Sequence, residues 1–198
     1  MAVEKIEAAD EAAADRVWKQ LRLSRHREVI ALNPGAAFGA AKCWPVEHFA
    51  ALARDLIDRR GAGVLVLCGP NERDLARQIV AATGRPEVAS LADFDPSISL
   101  TKAAIRRCDL LVTTDSGPRH FAAAFGRPVV TLYGPTHQEW TTTYFAAEIN
   151  LQKSVPCGPC QQRVCHLDHA CMKTLMPNEV FAASERLLAG YREARHAG

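Results

Sequence analysis

The chain has 198 residues, with 24 Lys and Arg against 22 Asp and Glu for a net charge of +2, and 48% apolar residues. That length suits one ordinary domain or two very small ones, and a chain of this size buries roughly 70% of the surface its unfolded form exposes, so neither disulfides nor a metal is required as a staple. The near-neutral charge argues against a nucleic-acid binder held by a basic face, the average composition against disorder, and the lack of any apolar run near roughly 18 residues against a membrane span. Residues 1–10 show no basic-then-apolar pattern, so no signal peptide is expected and the cytoplasm is the expected compartment.

Residues 1–28 are rich in Ala, Glu and Arg, and residues 10–21 read as an amphipathic helix with Ala14, Val17, Trp18 and Leu21 on one face. From residue 29 the pattern becomes regular. Val29-Ile30-Ala31-Leu32 is a short apolar run of buried-strand type ending in the turn Asn33-Pro34-Gly35. A Gly- and Ala-rich loop runs to Lys42. Trp44-Pro45 then opens a helix with Val46, Phe49, Ala50, Ala53, Leu56 and Ile57 at helical spacing, closed by Gly61.

The unit then recurs. Residues 64–68 read as a strand, 69–71 as a turn, 72–82 as a helix, 88–91 as a weaker strand, and Ser99 as the cap of a short helix to residue 107. Residues 109–113 are a strand, 119–125 a helix, 128–133 a strand, 147–151 a last strand, and Pro177 starts a closing helix. Strands alternating with helices predict an α/β fold, a doubly wound parallel sheet over residues 29–198, with 1–28 as an N-terminal helix and linker and a Cys-rich loop at 155–172.

In open α/β sheets ligands bind beyond the carboxyl ends of the strands. Four loops leave those ends here: Asn33-Pro34-Gly35 through Lys42, Gly69-Pro70-Asn71-Glu72, Thr114-Asp115-Ser116-Gly117-Pro118-Arg119-His120, and Tyr133-Gly134-Pro135-Thr136. Ser116 or Asp115 can cap the following helix, and Gly117 lets backbone approach a ligand. The free N–H groups of a helix start favour an anion by about 0.3–1 kcal/mol. This is a phosphate site in the physical sense, or simply a good helix start. No GxGxxG follows the first strand and no GxxxxGK[ST] occurs, which disfavours kinases and dehydrogenases of those two types. Lys42 reads as a point charge for a diphosphate or a solvated lysine; His120 as a phosphate or sugar donor or a surface residue; Glu72 as a ribose acceptor or a first-turn glutamate. Tyr133 and Thr136 read as hydroxyl contacts or, more simply, as a half-buried strand residue and a turn residue.

Taken in order, Asn33-Pro34-Gly35 with Lys42 and Trp44-Pro45, then Thr114-Asp115-Ser116-Gly117-Pro118-Arg119-His120-Phe121-Ala122-Ala123-Ala124, then Tyr133-Gly134-Pro135-Thr136, resemble the C-terminal half of glycosyltransferase family 9, the ADP-heptose:lipopolysaccharide heptosyltransferases. Within that family the later Cys157-Gly158-Pro159-Cys160 segment, with Cys165 and Cys171, resembles the heptosyltransferase II type. The resemblance spans about residues 29–190. It implies the Rossmann-like C-terminal domain of a two-domain GT-B enzyme, binding ADP-heptose or a related nucleotide sugar. The heptose goes, with inversion and no obligatory metal or other cofactor, to a lipopolysaccharide inner-core acceptor.

By position, Lys42 matches the diphosphate lysine, Glu72 a glutamate near the ribose, Asp115 the acid of the D-[ST]-G motif, Ser116 and Gly117 its phosphate-binding pair, and His120 its closing histidine. Family members are about twice this length, and their N-terminal domain holds the acceptor site and the general base. No catalytic base is therefore expected in this chain, nor any nucleic-acid partner, and membrane association at the inner face of the inner membrane is expected to be peripheral at most. The alternatives are a sugar-nucleotide epimerase-like enzyme, for which no convincing carboxylate pair is visible, or a non-catalytic sugar-nucleotide-binding module.

Seven cysteines complete the inventory. Cys68 and Cys108 sit in or beside apolar runs and read as reduced core thiols. Cys157, Cys160, Cys165 and Cys171, with His166 and His169 between them, are candidate zinc ligands. A single C-x2-C pair and irregular later spacing favour thiols that pack or cross-link a long loop, so no metal is expected.

Overall fold

A computed structural model describes residues 8–196. Residues 1–7 of the expected N-terminal segment and residues 197–198 of the expected domain lie outside the described residues.

The strands are β1 (Val29–Asn33), β2 (Gly63–Val66), β3 (Val88–Ser90), β4 (Leu110–Thr114), β5 (Val129–Tyr133) and β6 (Glu148–Gln152). They form one sheet of order β3-β2-β1-β4-β5-β6, with every neighbouring pair parallel. β1, β2, β4 and β5 are buried along their whole length, which is why they read as continuous apolar runs rather than alternating ones. Val29 in β1 aligns with Gly63 in β2, and Ile30 with Leu110 in β4, so the chain steps outward from the centre in both directions.

The helices are α1 (Ala8–Gln20), α2 (Val46–Arg60), α3 (Arg73–Thr83), α4 (Ile98–Arg107), α5 (Pro118–Ala124), α6 (Ala170–Lys173) and α7 (Pro177–His196). Helices α3 and α7 pack on α2, while α1 and α5 pack on α4. With right-handed crossovers, connections running toward β3 and toward β6 must cover opposite faces of the sheet. The core is therefore two apolar layers, including Phe49, Leu52 and Leu56 of α2 and Leu100, Ala103 and Ile105 of α4. The α1 helix buries Ala14 and Val17, and Arg107 reaches it through Glu11 (2.7 Å) and Asp15 (2.8 Å).

Local signals hold where the physics is local. Gly61 ends α2 in the left-handed conformation (φ 66°), where a side chain would be strained. Pro45 is the N-cap of α2 rather than its first turn. The cap of α4 is Ser97, not Ser99, because its Oγ is the hydroxyl that accepts the Leu100 amide, at 2.9 Å. The helix expected over 72–82, α3, begins one residue late: Pro70–Glu72 is a 3-10 turn, and Glu72 Oε2 accepts the Gly69 amide at 2.8 Å. Cys68 and Cys108 are buried free thiols, and burial pushes both upward in pKa.

Candidate anion-binding site at the strand switch point

β1 and β4 are neighbours whose chains then wind away in opposite directions, which makes their carboxyl ends the switch point of the sheet. Two side chains tie those ends together. Asn33 Nδ2 donates to Thr113 Oγ1 and to Ser116 Oγ, each at 3.0 Å, and Thr114 Oγ1 donates to Gly35 O at 2.7 Å.

Lys42 ends a 3-10 turn at Ala40–Lys42 and is buried. Its Nζ donates to Asp115 Oδ2 at 2.6 Å and to Asp115 O at 3.0 Å, and lies 4.8 Å above the Phe38 ring. An ammonium has three donors. Two are spent on Asp115, which leaves one for a ligand and fixes where the charge sits.

Asp115 is the hub. Besides Lys42, its Oδ2 accepts Thr136 Oγ1 at 2.8 Å and its Oδ1 accepts Thr141 Oγ1 at 3.2 Å, with Arg119 Nη1 3.5 Å from Oδ1. Burial pushes this carboxyl up in pKa. The hydrogen bonds from Lys42 and Thr136 and the charges of Lys42 and Arg119 outweigh it and hold Asp115 below the ordinary carboxylate range.

The other expected residues fall on the same rim. Glu72 stands against Gly35: a Cβ built there would overlap the Glu72 carboxylate. Gly35→Ala is therefore expected to swing Glu72 off the Gly69 amide and to lower the melting temperature, as read by thermal denaturation. Ser116 does not cap α5. Its Oγ turns back to Thr114 O (3.2 Å), Asp115 is committed to Lys42, and Gly117 occupies the N-cap without a side-chain bond. The amides of Ser116 and Gly117 find no acceptor among the described residues. His120 is exposed on the first turn of α5, and its imidazole is shifted below its ordinary pKa by partial burial and by the Arg119 charge. That shift favours the neutral imidazole.

Tyr133 is fully buried and Thr136 is a buried partner of Asp115, so neither is the bland strand or turn residue its neighbours suggested. Arg119, Thr141 and Glu148 also belong to the cluster, and the residues beside them in the chain do not reveal it. Arg119 lies inside the loop of residues 114–120, but nothing local marks an arginine as buried. Thr141 and Glu148 lie 26 and 33 positions beyond Asp115 and carry no motif at all.

The Cys-rich loop braces this rim. Ala41 N donates to Arg163 O at 3.0 Å, His169 Nε2 meets Ala41 O at 2.8 Å, and Gln161 N donates to Pro135 O at 2.8 Å. Cys157, Cys160, Cys165 and Cys171 are free thiols that line a cavity of about 320 Å³ with His166 and His169. Among the described residues no three metal-ligating side chains are drawn together as a metal site. Gly39 adopts φ 152°, ψ 167°, with its α-carbon backed onto the Arg163 carbonyl. That conformation is open essentially to glycine alone, at about 1–3 kcal/mol for other residues. Gly39→Ala is expected to lower the melting temperature accordingly and to detach the Lys42 turn from the loop.

Comparison with known proteins gives a consistent result. The glycosyltransferase family 9 (heptosyltransferase) profile matches residues 2–171. A lipooligosaccharide heptosyltransferase 2 from Campylobacter jejuni is 32% identical over 173 residues, covering 85% of this chain and 53% of that protein. The lipopolysaccharide heptosyltransferase 2 of Escherichia coli is 39% identical over 124 residues, covering 62% of this chain and 35% of that protein. The solved E. coli ADP-heptose lps heptosyltransferase II superposes with a TM-score of 0.77 at 27% identity, over 95% of this chain and 54% of that one. The chain thus spans about half the length, or less, of the relatives it matches.

Proposed function

Because the chain belongs to glycosyltransferase family 9, the heptosyltransferases, we propose that residues 29–198 are the donor-binding half of an inverting heptosyltransferase. It transfers heptose from ADP-heptose to the inner core of lipopolysaccharide. The observation that carries this reading is the buried Lys42–Asp115 pair at the strand switch point, 2.6 Å apart, with one ammonium donor uncommitted.

Each residue has a physical task in this reading. Lys42 places a positive charge beside the diphosphate, in a site where partial burial strengthens it. The Ser116 and Gly117 amides donate to phosphate oxygens. His120 can donate a hydrogen bond to phosphate or sugar. Glu72 accepts from ribose hydroxyls. As the bond from the anomeric carbon to the diphosphate breaks, negative charge grows on the departing oxygen, and fixed donors stabilise it without reorganising. Asp115, in the same donor-binding set, sets the position of Lys42. The acceptor site and the base that deprotonates the acceptor hydroxyl are assigned to the half that the relatives possess beyond the matched region. No helix among the described residues is long and apolar enough to cross a membrane. A cytoplasmic location, with at most peripheral association at the inner face of the inner membrane, fits a lipid-linked acceptor.

Isothermal titration of the chain with ADP and with ADP-heptose tests the proposal. Saturable binding is expected, with UDP and GDP weaker. No detectable heat at millimolar ADP would count decisively against it.

A further inference from the structure

A second ion pair lies behind the first. Arg119 is fully buried, on α5 one turn after Asp115. Its Nη1 donates to Tyr133 Oη, sits 3.5 Å from Asp115 Oδ1 and lies 3.7 Å from Glu148 Oε1. Glu148 opens β6 with its side chain 5% exposed, and its carboxylate accepts Thr131 Oγ1 (2.7 Å) and Thr143 Oγ1. Tyr133 Oη meets Thr141 Oγ1 at 3.0 Å, and Thr141 in turn donates to Asp115. Charges therefore alternate through the interior: Lys42, Asp115, Arg119, Glu148.

As a device for stability this pair is poor. Nε and Nη2 of Arg119 have no acceptor among the described residues, and a buried guanidinium that spends so few donors forfeits much of its hydration. Apolar residues of similar volume commonly serve a fold as well or better. What Arg119 supplies, and methionine would not, is a fixed positive charge on the side of Asp115 away from Lys42.

We propose that Arg119, backed by Glu148, is a positioning residue for the donor site, clamping the Asp115 carboxylate in the place from which it holds Lys42. This rests on the donor-binding reading above. The charged and titratable groups around Asp115 are Lys42 from the first loop, Arg119 and the titratable His120 from α5, and Glu148 from β6. Removing Arg119 removes one of the two cations that favour the ionised carboxylate. Glu148 is replaced at the same time so that no unpaired carboxylate is left behind.

The test is the double variant Arg119→Met, Glu148→Gln, with Arg119→Lys as the charge-retaining control. Three quantities are read: melting temperature, calorimetric ADP affinity, and the 13C titration of the Asp115 carboxyl. The expected result is a split. The double variant melts at or above the parent temperature, yet binds ADP at least tenfold more weakly, and Asp115 titrates at higher pH; Arg119→Lys keeps most of the affinity. A merely structural role predicts the reverse, a lower melting temperature with ADP affinity within twofold of the parent, and that outcome overturns the proposal. If the parent itself binds no ADP, the donor reading fails. An unmoved Asp115 titration would then also reject the positioning role, and a raised one would uphold it.

Discussion

Lys42→Met is expected to weaken ADP binding by about 10- to 100-fold while the chain stays folded. The side chain is nearly isosteric and keeps its apolar stem, so the change removes one charge and its donors. Hydrogen bonds to charged groups contribute about 1.5–3 kcal/mol, and about 1.4 kcal/mol is a factor of ten in affinity. Asp115 keeps Arg119 at 3.5 Å, Thr136 and Thr141, so its carboxylate is not abandoned. Lys42→Arg is expected to restore little, because a planar guanidinium cannot occupy the spot where Nζ meets both the carboxylate and the carbonyl of Asp115. Titration calorimetry on folded protein decides the matter. An affinity within threefold of the parent would remove Lys42 from the diphosphate site.

Asp115→Asn is expected to have the largest effect on stability. It leaves two buried cations, Lys42 and Arg119, without the anion between them. Breaking a buried pair in this way costs about 3–5 kcal/mol. For a domain of this size each kcal/mol lowers the melting temperature by about 2–4 °C, so a fall of roughly 6–20 °C is expected. The pH dependence follows from the direction of the shift. The folded-state pKa of Asp115 lies below the unfolded one, so its contribution is complete above the ordinary carboxylate value of about 3.9. That contribution is lost as pH falls through the lower folded value. The parent should therefore lose stability steeply in acid, and the Asn variant, which has no such group to protonate, less steeply. Thermal melts between pH 3 and pH 7 measure both limbs, and parallel limbs would show that Asp115 is not held ionised by its neighbours.

The two substitutions separate roles that the motif alone merges. Lys42 and Asp115 are neighbours in the cluster; in the proposed reading the first meets the diphosphate and the second holds the first in place. A change in affinity with little change in melting temperature marks the first. A change in both marks the second.

Much of the fold was legible because its causes are local. A strand covered on both faces must be apolar at every position, and Val29–Leu32, Val64–Leu67 and Val129–Val130 announce themselves in that way. Gly61 stops a helix because the left-handed conformation is cheap only for glycine. The motif loops stood out because turns require glycine and proline but not Lys42, Glu72, Asp115 and His120 as well. Caps were less legible: Ser97 and Ser99 are equally good residues, and only the position of the Leu100 amide chooses between them.

The sequence by itself determined the βα alternation, the strand-end loops, and which residue types they carry, since hydrophobic period and turn chemistry are written within a few residues. The tertiary structure alone decided that Asp115 is a buried hub and not a cap, and that Thr136, Thr141, Arg119 and Glu148 stand behind it. Those contacts are set by which strands lie side by side. The adjacency of β1, β4, β5 and β6 brings together side chains separated by up to 106 positions along the chain, between Lys42 and Glu148. A polar residue's burial and partner depend on that arrangement, and no pattern among its own neighbours encodes it.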